Sequence, residues 1–449
     1  MKKRSRIITA SVAVMSVSLA LSACSGAAGG SNGGNNQSIN VLMVNNPQMA
    51  DLQKLTDDNF TKDTGIKVNY TSLPENDARA KISTEFSAQA GQYDVASISA
   101  YEVPSFAANG WLSPLDSIAS SSDFNQGDVF PSLTQALTVN GSLYAEPFYG
   151  ESSFLMYRKD IFAAKGLTMP SNPTWQQVAD LAAQVDGAEP DMKGICLRGQ
   201  AGWGQVFAPL TTVVNTFGGT WFDKDWNAGV NSPEFEAATQ FYVDLVKAHG
   251  EAGAAQAGFT ECLTNMTQGK VAMWYDATSA AGSLEASDSP VAGKMGYVAA
   301  PVDKTKSSGW LWSWAWGIQK ASKNQDAAQK FIEWASSSKY ENLVGTQLGW
   351  SQVPAGKRSS TYDNADYTKA SSAFFQQTKD AILSADPTNP GLQPRPAPGI
   401  QFVAIPEFAD MATQVSQGVS AAIAGQQTVQ QALSDGQAVA QAVGDKYKK

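Results

Sequence analysis

Three carboxylates of this chain stand beside aromatic residues: Glu102 in Tyr101-Glu102, Glu151 in Tyr149-Gly150-Glu151, and Asp276 in Trp274-Tyr275-Asp276. An ionised carboxylate accepts hydrogen bonds from hydroxyl groups, and an aromatic face packs on the C–H face of a carbohydrate. The pairing suits a neutral ligand rich in hydroxyls. The same carboxylates could act as acid and base on a glycosidic bond, so a secreted carbohydrate-active enzyme is the rival reading. A structural or adhesive surface protein is the third class, and it predicts no saturable small ligand. The run Gly309-Trp310-Leu311-Trp312-Ser313-Trp314-Ala315-Trp316-Gly317 places an indole at every second residue. In a strand all four would share one face. Trp is rarely fully buried, so at least one of them, with Trp312 and Trp314 as candidates, is expected to face a cleft.

Other candidates carry two readings each. Trp203, between Gly202 and Gly204, is a ligand platform or a loop anchor. Glu151 is a site carboxylate or one half of a hinge salt bridge. Trp350 in Leu348-Gly349-Trp350-Ser351 is cleft wall or core. Arg198 and Arg395 are the basic site candidates, and either could instead be a structural ion pair. Two arginines are too few for a strongly anionic ligand. The chain shows no phosphate-binding Gly loop, no Gly-x-Ser-x-Gly elbow and no metal-ligand spacing, so neither cofactor nor metal is expected. Its one histidine, His249, falls at an expected helix C-terminus, where a cation favours the dipole, and reads as a surface residue.

The amino terminus sets the compartment. Lys2, Lys3, Arg4 and Arg6 precede an apolar run from Ile7 to Leu21, and Leu21-Ser22-Ala23-Cys24 follows. This is a signal peptide over residues 1–23, too short in its apolar part for the ~20 residues that span a bilayer. A Cys directly after Leu-Ser-Ala is similar to the bacterial lipobox, so Cys24 is expected to carry lipid and anchor the chain outside the cytoplasmic membrane. Residues 24–37, rich in Ser, Gly, Ala, Asn and Gln, form a flexible tether. Removing the leader leaves 28 basic against 41 acidic residues, a net charge of −13. That disfavours nucleic acid and anionic lipid as partners, so the membrane is met only through the anchor. With Cys24 acylated, Cys196 and Cys262 remain as an even pair in an oxidising compartment, expected as a disulfide against the alternative of two buried thiols.

The elements that must position these residues follow a strand-helix rhythm. Ile39–Val44, Ile66–Tyr70 and Tyr93–Ser99 are apolar runs with helical patterns between them, which argues a parallel α/β sheet. Ligands bind at the carboxyl ends of such strands, which singles out Asn45-Asn46, Leu73-Pro74-Glu75 and Ser99-Ala100-Tyr101-Glu102. Asn140-Gly141 predicts a hairpin turn. Pro147 followed by the run Phe154–Tyr157 marks a crossing between lobes. Thr174 with Gln177, Ser232 with Pro233, and Thr428 with Gln431 each open a helix. The roughly 410 residues after the tether allow two or three domains.

Several stretches resemble the family 1 extracellular solute-binding proteins of ABC importers, which are maltose-binding-protein-like. They are Phe148-Tyr149-Gly150-Glu151 through Asp160, Pro173-Thr174-Trp175-Gln176-Gln177-Val178, Gly269-Lys270-Val271-Ala272-Met273-Trp274, Trp316-Gly317-Ile318 and Gly345 to Pro354. Four more resemble the mannitol and sorbitol branch: Tyr101-Glu102-Val103-Pro104, Gly194 to Gly199, Phe259-Thr260-Glu261-Cys262-Leu263, and Val403 to Phe408. The resemblance implies a two-lobed α/β fold of the type II periplasmic-binding class with a ligand cleft between lobes. Lobe one would be 38–148 plus 302–350, and lobe two 149–301 plus 351–449. It implies a receptor that captures a neutral polyol or sugar for ABC importer permease subunits, a monomer, and no catalysis. Glu151 matches a ligand-contacting carboxylate, Asn46 the ligand-contacting turn after the first strand, and Trp203 an aromatic platform. Asn46-Pro47 replaces the charged pair common in sugar-binding relatives, which points away from a maltose-like ligand. The expected ligand-binding set is Asn46, Glu75, Tyr101, Glu102, Glu151, Arg198, Trp203, Trp274, Asp276, Trp312, Trp314, Trp350 and Arg395.

Overall fold

Residues 37–448 are described by a computed structural model; the leader and Cys24 lie outside the described residues. β1 (Ser38–Val44) buries Ile39 and Val41 through Val44 completely, the continuous apolar run of a strand covered on both faces. β2 (Lys67–Leu73) and β3 (Val95–Ser99) follow, each after a helix. Next come a hairpin of β4 (Thr138–Val139) and β5 (Ser142–Leu143), then β6 (Glu146–Glu151). The hairpin turns on Asn140 and Gly141, both with positive φ, as a two-residue turn of matching twist requires. β7 (Ser153–Arg158), β8 (Lys193–Cys196), β9 (Val271–Ala277) and β10 (Met295–Ala299) come next, and the tryptophan strand β11 (Trp312–Ile318) is last.

Apart from the β4-β5 hairpin, these strands form two sheets. The first has the order β2-β1-β3-β11-β6 and the second β10-β7-β9-β8. Parallel pairing holds for β1 with β2 and with β3, as the strand-helix rhythm predicts. β11 runs antiparallel to both β3 and β6, so the first sheet is mixed and not wholly parallel. The reason is that β11 returns from the second lobe and enters the sheet from the opposite end. The first crossing occupies a single residue, Ser152, between β6 and β7. Bonds near the crossings tie the neighbouring segments together. β6 keeps its ladder to Glu151. Val302 still exchanges backbone bonds with Pro173 and Trp175 of the second lobe. Beyond 350, Lys357 donates to Phe148 O at 2.7 Å and pairs with Glu341 at 2.8 Å, both in the first lobe.

The helix signals hold. Thr174 and Gln177 form a reciprocal capping box at Trp175–Val185. Ser232 caps Pro233–His249, and Thr428 caps Val429–Gly444. His249 ends its helix with Nδ1 3.0 Å from Asp186 Oδ2. No helix of the described residues is long and apolar enough to cross a membrane.

Cys196, at the end of β8, is bonded to Cys262 in the helix Phe259–Thr267, with their Cα atoms 5.7 Å apart. Among the described residues one group of potential metal ligands comes together, Cys196, Glu251 and Cys262, and the disulfide consumes both of its thiols. The bridge spans 66 residues, for which chain-entropy reasoning gives about 4 kcal/mol. Replacing both cysteines by serine should lower the unfolding free energy by about that amount, measured by urea denaturation; an unchanged midpoint would mean the bridge does not constrain the unfolded chain.

Candidate functional site

A cavity of about 460 Å³, counted to its open mouth, lies between the two sheets. The carboxyl ends of the first-sheet strands supply one wall. Asn46 follows β1, and its Nδ2 donates to the Tyr149 hydroxyl at 2.8 Å. Glu75 opens the helix Glu75–Ala88 after β2. Glu151 ends β6, where the register sets it opposite Trp312. Trp310, Trp312 and Trp314 all line the cavity. Trp316, farther along β11, packs instead against Phe148 and Phe331. The tryptophan ladder thus divides, with three indoles at the cleft and one in the core.

The second lobe supplies Arg198, Trp203, Ser279 and Gln401. Trp203 reaches across on a loop whose glycines permit the approach. A Cβ on Gly202 would lie 2.6 Å from Asn76 Oδ1, and one on Gly204 would lie 2.7 Å from Glu75 Oε1. Trp203 then packs on Tyr101, with ring centroids 4.5 Å apart.

Of the expected residues, Asn46, Glu75, Glu151, Arg198, Trp203, Trp312 and Trp314 converge on this cavity. The others are placed elsewhere. Asp276 is fully buried behind it, gripping Arg198 through Nε at 2.8 Å and Nη2 at 2.6 Å. The Trp274 indole donates to the same carboxylate at 3.1 Å. Both residues therefore position Arg198 and do not line the cavity. Tyr101 and Glu102 face an outer groove. The Tyr101 hydroxyl donates to Pro406 O at 3.1 Å and accepts from Ala409 N at 2.9 Å. Trp350 packs over Gly345, and Arg395 binds Gly399 O and Asn215 Oδ1; both lie outside the cavity lining. Arg79 was not among the expected residues. It lies one helical turn after Glu75 and pairs with it at 2.9 Å, and that i,i+4 spacing of opposite charges was the available signal. Ser279 and Gln401 carry no local signal, since folding alone brings them to the cavity, while Phe259 opens one of the stretches that resemble the polyol branch.

The charges balance locally. Arg198 lies 2.6 Å from Asp276 and 3.7 Å from Glu75. Burial alone would lower its pKa, but Asp276 together with Glu75 and Glu151 outweighs this and raises it. Arg79 is shared by Glu75 and Glu102. Burial raises Glu151 from 4.5 to about 7, against the lowering effects of the Ser279 hydroxyl and Arg198. The Tyr149 phenol is held neutral by burial and by the nearby Glu151. A carboxyl whose pKa is higher folded than unfolded binds more protons in the folded state, so stability falls as pH rises between the two values. Glu151 should therefore cost nothing below pH 4.5 and its full penalty, on the order of 3 kcal/mol, above about pH 7. Glu151→Gln should flatten that part of the stability curve, measured by chemical denaturation from pH 4.5 to 8. Parallel curves for the variant and the parent would refute the assignment.

Comparison with known proteins bears on this geometry. Residues 45–342 match the family described as bacterial extracellular solute-binding protein. The chain is 40% identical over 404 residues to a mannitol-binding protein of Pseudomonas aeruginosa, covering 89% of this chain and 92% of that one. It superposes with a TM-score of 0.89 on the ABC transporter solute-binding protein of Agrobacterium vitis solved with bound D-mannitol. Those two share 44% identity, over 92% of this chain and 99% of the other. A maltose-bound receptor of T. maritima shares the fold at a TM-score of 0.77 and 21% identity, over 90% and 99% of the two chains. The two-lobed α/β architecture is therefore that of the type II periplasmic binding proteins, and the enzyme reading falls. The chain belongs to the bacterial extracellular solute-binding proteins, which serve ABC importers from outside the cytoplasm and are not enzymes.

Proposed function

We propose that this receptor captures a linear polyol of five or six carbons, such as mannitol, sorbitol or a pentitol, and delivers it to the permease subunits of an ABC importer. The observation that carries the reading is the composition of the cavity. Trp310, Trp312 and Trp314 wall the space beside Asn46 and Gln401, and Glu75 and Glu151 add carboxylates to the same lining. Indole faces pack on C–H groups, and the polar atoms pair with hydroxyls. Two arginines are matched by Glu75, Glu102 and Asp276, which disfavours an anionic ligand. The mannitol-binding relative and the mannitol-bound structure support the same class. In this reading Asn46, Glu75, Glu151, Arg198, Trp203, Trp312 and Trp314 contact the ligand. Lobe one comprises about 38–148 plus 302–350, lobe two about 149–301 plus 351–449, and the protein acts as a monomer.

A flexible polyol loses rotational freedom on binding and needs dense polar pairing to offset it. A site that pairs each hydroxyl rejects analogues that leave its groups unmatched. Calorimetry should therefore show mannitol, sorbitol or a pentitol binding at least about tenfold tighter than glucose or maltose. Glu151→Ala should lose most of that affinity. Maltose preferred over every polyol, or a Glu151→Ala protein that binds like the parent, would overturn the reading.

We infer further that Cys24 is acylated and anchors the receptor to the membrane, on the strength of Leu21-Ser22-Ala23-Cys24. Cys24→Ala protein should leave the membrane fraction and lose palmitate labelling. Retention on the membrane would show that another element holds it there.

A further inference from the structure

Arg79 lines two spaces at once. One is the cavity described above. The other is an outer groove of about 1550 Å³, measured in the same way, with Tyr101, Trp111, Asn76, Asp410 and Gln417 along its walls. Trp203 also borders both. The Arg79 guanidinium carbon lies 4.3 Å from the Trp203 ring centroid, 4.6 Å from that of Trp314 and 5.1 Å from that of Trp312. It is held in plane by Glu75 Oε1, which accepts from Nε at 3.0 Å and Nη2 at 2.9 Å, and by Glu102 Oε1, which accepts from Nη1 at 2.8 Å. Glu102 is itself anchored by Ser99, whose N–H donates to Oε2 at 3.0 Å and whose hydroxyl donates to the same oxygen. Swinging the guanidinium aside would strip two buried carboxylates of their partner and lose three cation–π contacts.

We propose that Arg79 is a specificity-determining partition that limits how long a ligand the cleft accepts. In this reading the hexitol occupies the inner side. An alditol carrying a glycosyl ring would need the outer groove, whose aromatic and hydroxyl-pairing side chains suit a sugar ring, and Arg79 stands in the passage. The proposal rests on the polyol reading above. Removing the side chain opens the two spaces to one another and leaves Glu75 and Glu102 with fewer partners. Glu102 keeps Ser99, and Glu75 keeps Arg198 at 3.7 Å and Gln205 at 3.5 Å.

The test is calorimetry on the full chain with D-mannitol, D-sorbitol and maltitol, a sorbitol bearing one glucosyl ring. The parent should bind the preferred hexitol at least about 100-fold tighter than maltitol. Arg79→Ala should weaken the hexitol by about tenfold and bring maltitol to within about tenfold of it. Where Arg79→Ala does not melt cooperatively, Arg79→Gln, which retains a polar contact with Glu75, takes its place. A variant that binds the hexitol but still excludes maltitol, or a parent that binds both equally, overturns the partition alone. So does a folded variant that binds neither, because Arg79 would then be a ligand holder. A parent blind to every hexitol overturns the polyol reading, and the partition with it.

Discussion

The register of β11 against β6 is the constraint on which the cleft depends. Trp312 pairs with Glu151 and Trp314 with Tyr149, and directly opposed residues of an antiparallel pair project to the same face. Indole and carboxylate therefore arrive side by side at the end of the sheet. A slip of one residue would send the tryptophans to the other face. The ladder then shifts, so that Pro147, and not Phe148, stands opposite Ala315. This is a bulge, and bulges re-aim side chains near sites. Beyond it Phe148 packs on Trp316 and Tyr340 in the core. One strand thus serves the ligand cavity at one end and the lobe interior at the other.

Around that seam the protein buries two arginines, each unaffordable alone. An unpaired guanidinium in the interior is strongly destabilising, whereas a pair with good geometry roughly recovers its desolvation cost. Arg198 has Asp276 on two bonds, and Arg79 has Glu75 and Glu102. The result is a cavity whose arginines are both paired and whose lining is dense in fixed hydrogen-bonding groups, with little stability gained. Glu151 is the exception, being buried without a bidentate partner, and its proton affinity rises accordingly.

The two lobes touch at the rim as well as at the crossings. Gln48 donates to Ser279 O at 3.0 Å, Asn76 to Ala201 O at 3.0 Å, and Tyr101 joins residues 405–409. They join the packing of Trp203 on Tyr101 and the approach of Arg198 to Glu75, and a ligand that contacts both lobes would add to them. It does so only through its differential affinity for the closed form. The disulfide works on a different scale, fixing the helix that carries Phe259 to the edge of the second sheet.

Local chemistry made much of this legible in the sequence. The apolar runs became β1, β2 and β3 because a strand buried on both faces needs nothing but apolar side chains. Thr174, Ser232 and Thr428 capped their helices because a cap is settled within four residues. Asn140-Gly141 turned because few other pairs tolerate the conformation. Glu151 and Trp312 could be singled out because carboxylates beside aromatics are legible as pairs. The roles of Asp276, Trp274, Tyr101 and Arg395 were not legible, nor was the site membership of Ser279 and Gln401. Whether a carboxylate meets a ligand or an arginine depends on what the other lobe sets against it. Sequence alone determined the elements and the chemical character of the cleft, since those follow from side-chain type and short-range spacing, while the two-lobed class followed from resemblance to a known family. Only the tertiary structure decided which charged groups face the cavity, because buried charges must find partners, and those partners lie far away along the chain.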